Sequence, residues 1–368
     1  MMTDSPTTPT MPRGISHSGV STWQQCPRRW WFNKIDRLPS PPSAASFKGV
    51  FVHRVAEFAE VERTTLDQLQ ELCKRLWDGD ERILEERAKL ALPTADEKRL
   101  KSEAWPHCLA VRAEVERRGA AEAVEYVVKA DLGGVPFYGE IDRIESVPGD
   151  GARDIFGPLD ANEVIVVDWK TGKAPDLESR FPKTRVEAVQ KLDQLVLYAA
   201  ALKAQDGLSA LSCDYVHTGT GQTVRVEPTE ARTEQAIGRL VDVWAEVGHT
   251  IQRGSVEPSP SPLCGWCPYL DRCPEGRAAV ERRVDKCRRD GKSLGDEAIK
   301  LGIGAAPDDV PPLFEPDTAE KEKKPPRWDY SNVAGFRPEF AEWLGRHHAP
   351  DSKLVQILTR PKPTRKAV

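Results

Sequence analysis

Two aspartates and a lysine stand where strand-forming sequence stops. Residues 137–173 read as two β-strands joined by a loop. Ile141, Ile144 and Val147 surround Asp142, and the run Val164, Ile165, Val166, Val167 ends in Asp168-Trp169-Lys170. Four consecutive β-branched residues suit a strand buried on both faces. Side chains at i and i+2 of a strand share a face, so Asp168 and Lys170 project together. Pairing of the two strands brings Asp142 beside Asp168. Two carboxylates and an ammonium at the end of an apolar strand are costly unless they bind something. A divalent cation and a phosphate are the guests that suit them, and hard oxygen ligands favour Mg²⁺ or Mn²⁺. A D-x-K tripeptide alone is common, and its ordinary reading is a solvated ion pair on a surface turn.

Sulfur supplies a second constellation. Cys264, Cys267 and Cys273 follow a C-x2-C-x5-C spacing in a loop punctuated by proline and aromatic residues. Such thiolates hold a metal ion or a cluster, and a closed shell takes a fourth. Cys26 is the candidate, because Cys26-Pro27 echoes Cys267-Pro268 and Cys273-Pro274. The spacing leaves open a cluster, Zn²⁺ in the same thiolates, or free cysteines. Cys73, Cys108, Cys213 and Cys287 are scattered and read as small buried hydrophobes. Val50, His53 and Glu57 share one helical face, where a lone histidine is usually a satisfied core residue. Gln194 and Tyr198, four apart, are neighbours on a helix. Arg28, Arg29, Trp30, Trp31, Phe32 and Lys34 interleave cations with aromatics. That pattern fits a single-stranded nucleic-acid track, or equally core aromatics with exposed arginines.

The elements that must position these groups are mixed α and β. Residues 1–13 are Ser/Thr/Pro-rich and expected to be disordered. Ser18 or Ser21 is expected to cap a short helix ending near Cys26, and a second helix carries Arg28 to Lys34. Residues 61–118 have helical periodicity and read as a helical insertion that covers or gates a site. The first strand spans 122–130, Gly133-Gly134 makes a hairpin turn, and two more strands carry Asp142 and Asp168. One helix over 186–204 carries Gln194 and Tyr198. A hairpin of 213–218 and 223–227 and a helix over 229–253 precede the cysteine loop. One domain is expected over 14–276, then a charged Pro-rich linker over 277–327 and a C-terminal extension over 328–368 with a helix at 339–347.

Composition excludes several classes. In 368 residues, 39% are hydrophobic and 30% charged, and the net charge is −4. No bulk basic field exists, so any nucleic-acid binding comes from local patches. The N-terminus shows no apolar signal segment and the longest apolar run, 195–202, is too short to span a bilayer, so a cytoplasmic protein is expected. A disulfide framework does not fit that compartment. Gly291-Lys292-Ser293 lacks the upstream glycine of a P-loop, since position 286 is Lys, and no motor is encoded there.

The order Cys26, Gly49-x3-His53, Gly139-Glu140-Ile141-Asp142, Asp168-x-Lys170, Gln194-x3-Tyr198 and Cys264-x2-Cys267-x5-Cys273 resembles the RecB-like branch of the PD-(D/E)XK nucleases. It is most similar to the iron–sulfur members, which include the AddB nuclease domain and the CRISPR-associated adaptation exonucleases. The resemblance implies an α/β restriction-endonuclease-like core, with a central mixed β-sheet flanked by helices, a helical insertion and an iron–sulfur region. It implies His53, Asp142 and Asp168 as ligands of Mg²⁺ or Mn²⁺, with the Trp169 carbonyl as a further ligand. Lys170 would orient the attacking water and offset phosphate charge. Gln194 and Tyr198 would position DNA or the site's own side chains. Cys26, Cys264, Cys267 and Cys273 would hold a structural 4Fe–4S cluster. The implied activity is a DNA exonuclease acting on single strands or duplex ends in recombination, repair or phage DNA metabolism. A helicase or adaptation-complex partner is compatible, and the alternative is a non-catalytic DNA-binding or adaptor subunit. Asp168 stands where many relatives carry Glu.

Overall fold

The computed structural model describes residues 9–40, 42–147 and 163–291. The first eight residues, most of the expected linker, the C-terminal extension and its expected helix at 339–347 lie outside the described residues. Five strands form one mixed sheet in the order of the chain: β1 (Ala123–Leu132), β2 (Val135–Ser146), β3 (Glu163–Lys170), β4 (Ser209–His217) and β5 (Gln222–Val226). Only the β3–β4 pair is parallel. Gly133 and Gly134 have φ of +66° and +83°, the two left-handed residues that a tight two-residue hairpin requires.

The run Val164–Val167 is buried on both sides, as its composition demands. Val164 and Val166 face a core built by α8 (Asp193–Asp206), α9 (Glu230–Arg253), α1 (His17–Gln25) and α2 (Pro27–Lys34). Ile165, Val167 and Trp169 face a second core under α3 (Ala44–Val61), α4 (Leu69–Gly79), α5 (Glu81–Leu90) and α6 (Thr94–Arg118). The expected insertion is thus a helical lobe on one face of the sheet. Leu195, Val196 and Leu197 are all buried, because α8 lies between sheet and α9 and has no solvent face there. Among the described residues, no helix is long and apolar enough to cross a membrane.

Four expectations change. The helix expected over 186–204 is two helices, α7 (Pro182–Lys191) and α8, separated at Leu192. The Lys191 carbonyl is taken by the Tyr215 hydroxyl at 2.9 Å, a tertiary partner that no local pattern announces. The first helix is capped by Ser16, which accepts from Gly19 N, rather than by Ser18 or Ser21. Trp30 and Trp31 are buried and Arg28 donates to the Val256 carbonyl, so α2 offers no stacking track. Last, α10 (Pro274–Arg289) runs through the expected domain boundary at 276.

Candidate active site

The charged groups converge where β2 and β3 end. The register pairs Arg143 with Val167 and Ile144 with Val166, which sets Asp142 next to Asp168. The Trp169 N–H donates to Asp142 Oδ2 at 2.6 Å, so the backbone of one motif holds the carboxylate of the other. α3 crosses this end and presents His53, whose Nδ1 lies 3.1 Å from Asp142 Oδ1. A fourth group joins from β1. His53, Asp142 and Glu125 offer ligand atoms that all lie within 4.8 Å of one another, the one such cluster among the described residues. β1 and β2 pair Val124 with Arg143 and Tyr126 with Ile141, skipping Glu125 and Asp142. Glu125 has φ +46°, a left-handed backbone that costs a non-glycine residue about 1 kcal/mol. That distortion turns its carboxylate toward Asp142.

Asp168 is organised separately, by α8. Its Oδ2 lies 2.6 Å from Lys170 Nζ. Gln194 Nε2 donates to Asp168 Oδ1 at 3.1 Å, while Gln194 Oε1 accepts from Lys170 Nζ at 3.1 Å and lies 3.1 Å from the Tyr215 oxygen, whose one hydrogen goes to the Lys191 carbonyl. Gln194 Nε2 also meets Tyr198 OH at 2.9 Å. One amide therefore fixes both charged members of the D-x-K. Gly139 makes room for Tyr198: a Cβ there would sit 2.3 Å from Cε1 of the ring. By contrast a Cβ on Gly49 would make an ordinary 3.7 Å contact with Thr171 Oγ1.

The electrostatics are those of crowded carboxylates. Burial, then Asp142 and Glu140, push Glu125 up to about 8. Burial pushes Asp168 up to about 6 against the pull of Lys170. Burial alone would lower His53, but Asp142 and Asp168 outweigh it and lift the imidazole to about 9. Lys170 is the one lysine paired within this set. Asp168 Oδ2 is buried and makes an ion contact without an aligned hydrogen bond. Its lone pairs, with the His53–Glu125–Asp142 cluster, are a fitting donor set for a hard divalent cation.

The cysteines meet at the other flank. Cys26, Cys264, Cys267 and Cys273 line one cavity together with Arg28, Arg29 and Phe32. Backbone N–H groups point at the sulfurs: Ser259 N to Cys26 at 3.5 Å, Ser261 N to Cys264 at 3.2 Å and Gly276 N to Cys273 at 3.4 Å. Burial raises Cys267, opposed by a Tyr269 backbone bond and Arg29. Cys108, Cys213 and Cys287 are buried and do not line this cavity, and Cys73 is half-buried.

All the residues expected to hold the cation or flank it are thus at one end of the sheet, and the four cysteines are at one corner. Asp168 stands outside the tightest ligand cluster. Glu125 takes the place there that sequence reasoning did not give it. A signal existed: a two-residue turn at Gly133-Gly134 fixes the hairpin register and sets Glu125 opposite Asp142. Glu57 is engaged by Arg54 at 2.5 Å rather than by His53.

Residues 14–274 match the pattern that describes the PD-(D/E)XK nuclease superfamily. Among solved structures, the chain is similar to a provisionally named exonuclease from Eubacterium rectale, with 14% identity, 69% of this chain and 86% of that chain covered, and a TM-score of 0.38. It is also similar to the protein SSO0001, with 13% identity, coverage of 72% and 88%, and a TM-score of 0.30. No curated protein matches the sequence.

Proposed function

Because the chain belongs to the PD-(D/E)XK nuclease superfamily, we propose that it is a metal-dependent DNA exonuclease of the RecB-like iron–sulfur branch. It acts in the cytoplasm on single strands or duplex ends, in recombination, repair or phage DNA metabolism. The observation that carries this reading is the convergence of His53, Glu125, Asp142, Asp168 and Lys170 at the end of β2 and β3. An intact set of this kind favours an enzyme over an adaptor subunit, although a helicase or adaptation-complex partner remains compatible with either.

His53, Glu125 and Asp142 hold the cation, with Asp168 and the Trp169 carbonyl as further ligands. Mg²⁺ or Mn²⁺, when bound, supplies charge neutralisation and Lewis acidity at the phosphodiester. Lys170, held by Asp168 and Gln194, orients the attacking water and offsets charge that grows on the phosphate. Gln194 keeps Lys170 and Asp168 in register, and Tyr198 keeps Gln194 in place.

The cysteine corner holds a structural 4Fe–4S cluster. Four sulfurs on one cavity wall with backbone N–H donors suit bound thiolates.

The test is digestion of end-labelled single-stranded, duplex and circular DNA with Mg²⁺ or Mn²⁺. Linear DNA is expected to shorten from its ends while circles survive. Circles cut as readily as linear DNA would sink the exonuclease assignment, and no cleavage with either ion would sink the nuclease. Anaerobically purified protein is expected to be brown and to bleach with dithionite; colourless protein carrying stoichiometric zinc would refute the cluster.

A further inference from the structure

The helical lobe reaches the reacting lysine through a short chain of hydrogen bonds. His107 on α6 is buried, and its Nδ1 lies 2.7 Å from Thr218 Oγ1. Thr218 Oγ1 donates to the Lys170 carbonyl at 3.1 Å, and Thr218 N donates to the same oxygen at 2.9 Å. Because the hydroxyl hydrogen is spent on Lys170, His107 donates its Nδ1–H to Thr218. Burial, reinforced by Lys48, keeps this imidazole neutral by holding it down to about 4. Gly219 permits the approach, since a Cβ there would come within 3.0 Å of His107 Cε1. The neighbouring turn is tied as well: His217 Nδ1 lies 2.9 Å from the Gly172 carbonyl.

The same helix grips the sheet a second time. Arg118, at its C-terminal end, donates to Asp214 Oδ2 at 2.8 Å. From His107 to Arg118 the helix rises about 16 Å, and from Asp214 to Thr218 the strand advances about 13 Å. The two spans are similar, so the C-terminal half of α6 runs antiparallel to the end of β4 and is pinned at its middle and at its C-terminal end. Lys170 is the cross-strand neighbour of His217, and its carbonyl is the last acceptor on β3. The lobe therefore acts on the backbone of the residue whose ammonium faces Asp168.

We propose that His107 and Thr218 are positioning residues for Lys170: the helical lobe fixes the reacting lysine through the chain His107–Thr218–Lys170 C=O. The proposal rests on the nuclease reading for its catalytic consequence and on hydrogen bonding alone for its existence. A small displacement of a reacting group costs far more rate than stability.

The test compares Thr218→Val and His107→Leu with Thr218→Ser and His107→Asn, which keep a hydroxyl and a donor near the Nδ1 position. With Mn²⁺ and single-stranded DNA, the first pair is expected to lose about tenfold or more in kcat with KM within about twofold. The second pair should recover at least half of the wild-type kcat. The double variant His107→Leu/Thr218→Val should be no worse than the poorer single, as for members of one chain. Losses that multiply in the double variant, losses that appear in KM alone, or a failure of Thr218→Ser to recover would overturn the proposal. Amide exchange provides a readout free of catalysis. Exchange at the Thr218 N–H should speed up at least about tenfold in His107→Leu, and an unchanged rate refutes the clamp. Wild-type protein that cuts no DNA would defeat the nuclease reading, and the exchange measurement would still decide the clamp. Should His107→Leu fail to fold, Thr218→Val and Thr218→Ser carry the comparison.

Discussion

Asp142 and Arg143 are adjacent on β2, yet they serve polar clusters that meet their carboxylates differently. Arg143 turns toward the helical lobe and donates to Glu145 Oε1 and the Gly119 carbonyl, both at 2.6 Å, and pairs with Glu60. Arg118 meets Glu114, Glu145 and Asp214, and Arg225 meets Asp214 through two nitrogens at 2.8 and 2.9 Å. Burial would raise Asp214, but Arg225 and Arg118 overcome it and leave the carboxyl below its usual range. Asp142 turns the other way, into a group where Glu125 and Asp168 are both raised. The two clusters share strands and differ in how their buried carboxylates are met. Where every buried carboxylate has a guanidinium against it, the cluster is structural. Where buried carboxylates crowd one another with no guanidinium among them, the place suits one more positive charge.

The largest expected contrast is between Asp168→Asn and Asp214→Ala. Asp168→Asn should lower DNA cleavage on the order of a thousandfold, because it removes charge meant for the cation. Its thermal midpoint without metal should match or exceed wild type, since burial penalises that charge. Cleavage near the wild-type rate would break the comparison. Asp214→Ala should do the reverse. Leaving Arg118 and Arg225 without their shared partner should cost about 3–5 kcal/mol, read from urea denaturation. Cleavage per folded molecule should be unchanged. A neutral denaturation midpoint would show that the network is ornamental.

A smaller effect sharpens the difference through pH. Glu125, Asp168 and His53 all have pKa values above their ordinary ones, at about 8, about 6 and about 9. Each stabilises the fold fully below its unfolded value and loses that contribution as pH rises through the folded one. Below about pH 7 the lowered His17, His107 and His217 oppose this trend, so metal-free protein should lose stability as pH climbs from about 7 to about 9. Saturating Mn²⁺ should flatten the slope, since the cation takes over the role of the protons. Asp214 is depressed, so its contribution is present above the ordinary carboxylate range and lost in acid. A metal-free midpoint that rises between about pH 7 and 9, read by calorimetry, would contradict these assignments.

Much of this was legible before any coordinates. The β-branched run gave away a two-faced strand, and its abrupt polar end marked the site. The repeated Cys-Pro pairs linked Cys26 to a loop far along the chain, and all four cysteines do line one cavity. What escaped was decided by tertiary partners. No local pattern marks Arg143, yet it is fully buried. Glu125 drew no reading from the sequence, and only the hairpin register and its left-handed backbone disclose its partner. The break at Leu192 follows from Tyr215 taking the Lys191 carbonyl, a contact between segments that share no local pattern. Aromatics interleaved with arginine on α2 are ambiguous in any sequence, because the same spacing buries or exposes them.

The N-terminal helices are fastened almost entirely to chain that is made much later. Trp23 donates to Glu246, Arg28 to Val256 and Asn33 to Tyr269, across separations of 223, 228 and 236 residues. At ~5–20 residues per second on the ribosome, these anchors arrive roughly 10 to 50 seconds after the helices emerge. Through that interval the indoles of Trp23 and Trp30 lack part of their cover. A nascent chain stalled before the cysteine loop would therefore be a natural client for chaperones, and a truncated gene product a natural aggregate.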